Sequence, residues 1–329
     1  MSASDRRPRP ARFAWRVALT LGATCLVIAV VCREVGTSAE LVAALNAARL
    51  QTGATVARVT VAFSISSACV LVGVVRWQLV LSAMGHRLSF GRALEAVLAT
   101  WPLAVVSPSR ANELLRAIVV RDVVPIAVGT GSLLTEKALD LLILLVLAAC
   151  GAALRTLWIW LLVIVGLIGV ELSVIVVVWT RRRWVEGLPV VRRWRGELAE
   201  LLVGLDGLAI APLRLVAAGV MSLAIRVMTV AVIHALLGAV GADVRFVDTM
   251  TLWPLAMLVG LAPLTLAGVG TRDAAFIALL EARAGVVSPS AVLVATMGYS
   301  VVAIGSFAII GLPLMARLLL GGSRKRRTL

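Results

Sequence analysis

Charged side chains set inside apolar runs are the residues of this sequence able to do chemistry, and they gather in three places. The first is Pro108, Ser109, Arg110, Ala111, Asn112 and Glu113, followed one turn later by Arg116. The second is Glu136, Lys137 and Asp140. The third runs from Pro263 through Gly268 and Gly270 to Arg272 and Asp273. Arginine offers a planar, permanently charged fork of donors that matches phosphate oxygens two at a time. Arg110 and Arg272 each stand near the start of an apolar helical stretch, where free N–H groups and the positive dipole end favour an anion. Glu113 and Asp273 are close enough in sequence to orient those arginines or to share a coupling proton. Glu136 and Asp140 are i and i+4 on a helix and share a face, with Lys137 at i+3 from Asp140. A charge at mid-bilayer costs at least ~2.5 to 3.5 kcal/mol on the insertion scale, so such groups face a bundle interior. Arg116 and Arg226 are placed in the same polar interior. The chemistry implied is recognition of an anionic group within the membrane.

Each group also has a plainer reading. Arg110 to Arg116 can be a solvated loop, Arg272 and Asp273 can be an ion pair stapling a turn, and Arg226 can snorkel to an interface. The matching placement of Arg110 and Arg272, each beside a proline break, favours binding.

The elements that must position these residues are transmembrane. Of the 329 residues 61% are apolar and 15% charged, and the mean hydropathy is +1.03, which excludes an ordinary soluble domain. A helix needs roughly 20 apolar residues to cross the hydrocarbon core. Six segments qualify, at 15–32, 59–75, 139–154, 158–179, 213–237 and 291–313. Two further regions, 94–134 and 252–280, have leading arms too short to cross and polar centres. Pro108 and Pro263 stop those arms, while Gly268 and Gly270 permit backbone shapes and close approaches that other residues resist. Irregular backbone at membrane depth must be satisfied by protein or a watery cavity, so both regions are expected as re-entrant hairpins lining a cavity.

Orientation follows from the basic residues, which stay in the cytoplasm. The N-terminal tail 1–14, the loops at 76–92 and 181–212 and the tail 321–329 are expected inside. Six spans with two re-entrant hairpins satisfy every one of these placements; if each arm crosses instead, the count becomes ten with the same parity. The expected fold is thus an all-α polytopic integral membrane protein with one membrane domain, 15–320. Its halves, 15–155 and 156–320, repeat the order span, span, hairpin, span with opposite orientation. Paired breaks at matching positions of an inverted repeat point to a binding site near the midplane.

Other classes find little support. The formal charge of +15 sits beside apolar runs, as topological anchors do, and does not suggest nucleic acid. Cys25, Cys32, Cys69 and Cys150 show no CxxC spacing and His86 and His234 stand alone, so no metal or other cofactor is implied. The basic start followed by an apolar run resembles a signal peptide, but Cys32, Arg33 and Glu34 replace a cleavage site, and a retained first helix is expected. Trp77, Trp158, Trp160, Trp179, Trp184 and Trp253 read as interfacial residues. Residues 184–208 read as an amphipathic helix on the membrane surface.

Taken with Arg76, Trp77 and Gly85, these three motifs resemble the transmembrane region of the lysylphosphatidylglycerol synthetase/flippase family over residues 15–320. The family's usual forms are close to Pro-x-Arg-x-Gly-Glu-x-x-Arg, Glu-Arg-x-x-Asp and Gly-x-Gly-x-Arg-Glu. Here Asn112 replaces a glycine, Lys137 an arginine and Asp273 a glutamate, so the bidentate reach at Lys137 is absent. Members joined to an aminoacyl-transfer domain make and move aminoacylated phosphatidylglycerol. The chain ends soon after its last expected span, so the resemblance implies a stand-alone flippase-like member.

The expectation is a non-catalytic translocase of a phosphate-bearing lipid headgroup, with Arg110, Asn112, Glu113, Arg116, Glu136, Lys137, Asp140, Arg272 and Asp273 as its binding set. Its partners would be anionic phospholipid, glycolipid or polyprenyl phosphate, in the inner (cytoplasmic) membrane with both termini cytoplasmic. A lipid-modifying enzyme using Glu113, Glu136, Asp140 or Asp273 as acid and base, and an accessory subunit of a glycosyltransferase, are the alternatives. A homo-oligomer stays open.

Overall fold

The structure is a computed structural model that describes residues 52–104, 113, 115–180, 211–262, 265, 268–284 and 288–325. The expected first span, the N-terminal tail, Pro108, Arg110, Asn112, Pro263, the segment 184–208 and the chain end 326–329 lie outside these residues.

All regular structure among the described residues is helical. In chain order the elements are α1 (Thr52–Ala83), α2 (Phe90–Thr100) with a 3-10 turn (Trp101–Ala104), α3 (Leu115–Val119), α4 (Ile126–Leu154) and α5 (Trp158–Thr180). There follow α6 (Pro212–Ala239), α7 (Phe246–Val259), α8 (Thr271–Ala284), α9 (Pro289–Ser300), a π turn (Val301–Gly305) and α10 (Ser306–Lys325). A segment apolar on every face has only lipid or protein as suitable surroundings, and a helix satisfies its backbone internally there. Among the described residues five helices are long and apolar enough to cross a bilayer: α1, α4, α5, α6 and the run from α9 into α10. The protein is an all-α polytopic membrane protein. At 32, 29 and 28 residues, α1, α4 and α6 exceed the ~20 that a crossing needs, so they tilt or project beyond the hydrocarbon.

The two halves repeat one order, long helix, two short helices, long helix: α1 to α4, then α6 to α10. Their leading helices are antiparallel, because residues at opposite ends meet. Thr55 Oγ1 donates to the Ala239 carbonyl (3.0 Å) and Arg214 Nη1 to the Ser82 carbonyl (2.7 Å), while Arg58 bonds the Gly238 carbonyl. The remaining packing is reciprocal. Short α7 lies on α4 of the first half, and short α2 lies on α10 of the second. Both contacts depend on glycine. At Gly151 a Cβ would run into the Thr251 backbone, and at Gly311 into the Leu98 backbone and Pro102 Cδ. Beside Gly151, Arg155 pairs with Asp248, and its Nε donates to Thr251 Oγ1 (3.1 Å), tying the halves together.

Outside the spans, Arg92 donates to both Asp122 and Glu95, and these bonds, with Asp122 first, hold its guanidinium pKa above its ordinary value.

Three boundaries differ from the sequence expectation. The third span begins at Ile126 rather than 139, since Pro125 supplies the start and the residues taken for a trailing re-entrant arm continue straight into it. Glu136, Lys137 and Asp140 therefore sit in the middle of a crossing helix. The first break keeps only α3 as a separate helical piece, of 5 residues. In the second half, α7 and α8 are distinct 14-residue helices, each about 21 Å long and too short to cross. The turn between them carries Gly268 at φ 75° and Gly270 at φ 94°, and Gly268 lies so close to the Gly260 carbonyl that a Cβ would meet it at 2.8 Å.

Arg76 is the second kind of difference. It was expected to open a cytoplasmic loop, yet α1 runs through it to Ala83 and it is 6% exposed. Counting cations along a chain registers charge but not the acidic partners that permit its burial. Trp77 and Trp253 likewise are core rather than interfacial. Trp77 Nε1 donates to Ser132 Oγ at 2.9 Å, and Trp253 packs edge-on against Phe276 and Tyr299.

Candidate functional site

Helix α1 offers Ser66, Cys69, Val70, Gly73 and Arg76 along one side, a 3.5-residue spacing that keeps them on a common stripe. Antiparallel α6 faces it with Ile225, Arg226, Thr229 and Val232. With α4, the α2 region and the π turn they enclose a cavity of about 160 Å³ between the halves.

Arg76 is the hub of the cavity's charged wall. Its Nε donates to Glu136 Oε1 (2.9 Å), its Nη1 to Asp140 Oδ1 (2.5 Å) and Ser222 Oγ (2.7 Å), and its Nη2 to Asp140 Oδ2 (3.3 Å). The i, i+4 spacing of Glu136 and Asp140 makes this grip possible, because both carboxylates leave α4 on one face. Around the hub stand cations held more loosely. Arg116 lies 3.9 Å from Glu113 and from Glu136, and Arg226 lies 4.0 Å from Asp140, distances that give ion pairs but no hydrogen bond. Lys137 pairs with Glu113. Among the described residues, four basic side chains thus meet three acidic ones.

The Nε atoms of Arg116 and Arg226 are buried and have no hydrogen-bond partner among the described residues. Such donors cost about 1 to 3 kcal/mol each when left unmet, and both arginines line the cavity. A wall of this composition suits an acceptor-rich anion, for which arginine forks are the natural match.

Arg272 and Asp273 are placed differently. They are 2% and 0% exposed, and neither lines the cavity. Arg272 donates to Asp273 Oδ1 through Nε (2.9 Å) and Nη2 (2.6 Å), and to Ser300 Oγ (2.9 Å). Asp273 Oδ2 accepts from the Gly270 N–H at 2.9 Å. The guanidinium carbon lies 5.3 Å from the Trp253 ring and 4.9 Å from the Tyr299 ring. Since Tyr299 also lines the cavity, Arg272 stands one aromatic layer behind it.

Of the residues singled out in the sequence, the structure brings together Glu113, Arg116, Glu136, Lys137 and Asp140, with Arg226. It sets Arg272, Asp273, Gly268 and Gly270 in a separate buried turn. The profile of the lysylphosphatidylglycerol synthase transmembrane region matches residues 15–311, nearly the whole chain. The chain belongs to that family. No curated protein matches it. Family membership and the apolar helices together make it a multi-pass membrane protein of a lipid-related family.

Within this member of the family, sequence reasoning missed Arg76 as a site residue, although a signal existed. Apolar residues continue on both sides of it, from Val70 to Leu81, with only Gln78 as another strongly polar side chain. A lone cation in such a run needs a buried acid, and Glu136 and Asp140 were already in view. Ser222, Ser66 and Trp101 gave no comparable signal, because small hydroxyls and tryptophan are common in membrane helices for other reasons.

Proposed function

We propose that the protein is a non-catalytic lipid translocase, moving a phosphate-bearing headgroup of a phospholipid, glycolipid or polyprenyl-linked lipid across the cytoplasmic membrane while the tails remain in lipid. The observation that carries this reading is the pair of buried Nε donors of Arg116 and Arg226, unpartnered among the described residues, on side chains that line the cavity between antiparallel α1 and α6. Glu113, Lys137 and Asp140 complete the wall, and Arg76 with Glu136 fixes it. The carboxylates each lie beside a cation, an arrangement that suits recognition better than acid–base catalysis. Arg272 and Asp273 brace the second break in this arrangement; the roles of Arg110 and Asn112 rest on the sequence alone. Rocking of one half against the other would expose the cavity to alternate sides, as inverted repeats permit. The basic loops support cytoplasmic termini.

The test is reconstitution into vesicles with an anionic lipid labelled on its headgroup. Wild type should equilibrate the label between leaflets, and Arg116→Ala and Arg226→Ala should slow that exchange to the protein-free rate. Exchange by both variants at the wild-type rate would refute the reading.

A further inference from the structure

Two polar atoms of cavity-lining residues belong neither to the charge cluster nor, among the described residues, to any internal hydrogen bond. Ser66 is 5% exposed and its Oγ is without a hydrogen-bond partner among the described residues. The indole Nε1 of Trp101, on the 3-10 turn after α2, is buried and equally unpartnered. Both residues line the same cavity as Arg116 and Arg226. Buried polar atoms in native proteins are met by protein, water or ligand. Among the described residues, four side-chain atoms without a partner belong to residues that line one cavity, and three of them are obligate donors, so the partner they call for is an acceptor.

The helix register places the neutral pair relative to the charged one. Thr55 meets Ala239, Arg76 meets Ser222 and Arg214 meets Ser82 along antiparallel α1 and α6. Arg226 is therefore level with Val70 to Leu71, and Ser66 is four to five residues further along, about 6 to 7.5 Å on the helix axis. That offset spans several covalent bonds, the separation between a phosphate and an outer headgroup hydroxyl or an ester carbonyl of the same lipid. Ring packing holds Trp101 in place, its centroid 5.4 Å from that of Phe307, which stacks on Phe63 at 5.9 Å.

Building on the proposed translocase reading, we infer that Ser66 and Trp101 form a neutral subsite that reads an uncharged oxygen acceptor beside the phosphate held by Arg116 and Arg226. That oxygen is either a headgroup hydroxyl or an ester carbonyl of the glycerol backbone. A site built to meet such a group discriminates strongly against an analogue that lacks it, since its donors are then left unpaired.

The experiment uses the full-length protein purified in detergent, with lipid binding followed by native mass spectrometry. Three singly charged probes are compared: phosphatidylglycerol, phosphatidylethanol, which has no headgroup hydroxyl, and the diether analogue of phosphatidylglycerol, which has no ester carbonyl. Wild type should prefer phosphatidylglycerol to one of the analogues by about fivefold, the worth of one neutral hydrogen bond. The weaker analogue identifies the oxygen: phosphatidylethanol points to the hydroxyl, the diether to the carbonyl. Ser66→Ala, which removes only the hydroxyl, and Trp101→Phe, which removes the indole N–H and keeps an aromatic ring against Phe307, should erase that preference without changing affinity for the weaker analogue. Equal binding of all three lipids by wild type, or an equal loss for all three in the variants, would overturn the subsite. Arg226→Ala separates the two readings. Loss of all three lipids is the expected result, whereas wild-type binding of all three would remove the phosphate reading and leave the subsite to be judged by the preference alone.

Discussion

Replacing Arg76 by alanine removes the hub of the buried cluster and leaves Glu136, 2% exposed, and Asp140 facing one another without their shared cation. Breaking a buried pair by deleting one partner costs about 3 to 5 kcal/mol, mostly because the other charge is stranded. Arg116 and Arg226 offset little of this, standing 3.9 and 4.0 Å from the two acids. Arg76→Ala should therefore lower stability by about 3 to 5 kcal/mol. Arg76→Lys keeps the charge but cannot reach two carboxylates and the Ser222 hydroxyl together, and should lose about 1.5 to 3 kcal/mol, one charged hydrogen bond. The triple variant Arg76→Met, Glu136→Gln and Asp140→Asn removes the stranded charges and should recover more than half of the alanine variant's loss. Equilibrium unfolding in mixed micelles, titrated with a denaturing detergent, reads all three. If Arg76→Ala costs under about 1 kcal/mol, within the range of exposed pairs, or the triple variant is no better than the single one, the cluster does not hold the halves as described.

The same unfolding assay checks the other contacts. Arg272→Ala should cost about 3 to 5 kcal/mol, because Asp273 is fully buried and would be stranded; as a brace behind Tyr299, its loss should leave lipid affinity of the folded fraction unchanged. Gly151→Val and Gly311→Val should each destabilise by about 1 to 3 kcal/mol through overpacking against a facing backbone. Arg92→Ala, which breaks an exposed cluster with Asp122 and Glu95, should change stability by no more than about 1 kcal/mol.

Much of the fold was legible because hydropathy is a one-dimensional property. Five of the six expected spans fall within crossing helices, and the sixth lies outside the described residues. The charge trio of α4 was recognisable for the same reason, since i, i+4 spacing fixes a shared face on any helix. What was not legible depends on pairing across the fold. Arg76 reads as a loop cation until α4 supplies its acids, and the start of α4 at Ile126 was hidden because mid-helix charges resemble a helix end. Trp77 and Trp253 share their composition with interfacial tryptophans and differ only in their neighbours, Ser132 for one and Phe276 with Tyr299 for the other. The separation of Arg272 from the cavity is likewise a matter of one intervening ring.

The central claim is that the cavity between the two halves is the route of the headgroup, and Gly73 tests it most directly. Gly73 lines the cavity, and a Cβ added there meets nothing within 4 Å. Gly73→Leu should fold at least as well as wild type, since leucine in a helix interior is favoured over glycine by about 0.5 to 1 kcal/mol, while its side chain occupies the cavity. Headgroup exchange of a labelled anionic lipid in reconstituted vesicles should fall to the rate of protein-free vesicles. Wild-type exchange by a well-folded Gly73→Leu protein would contradict the account.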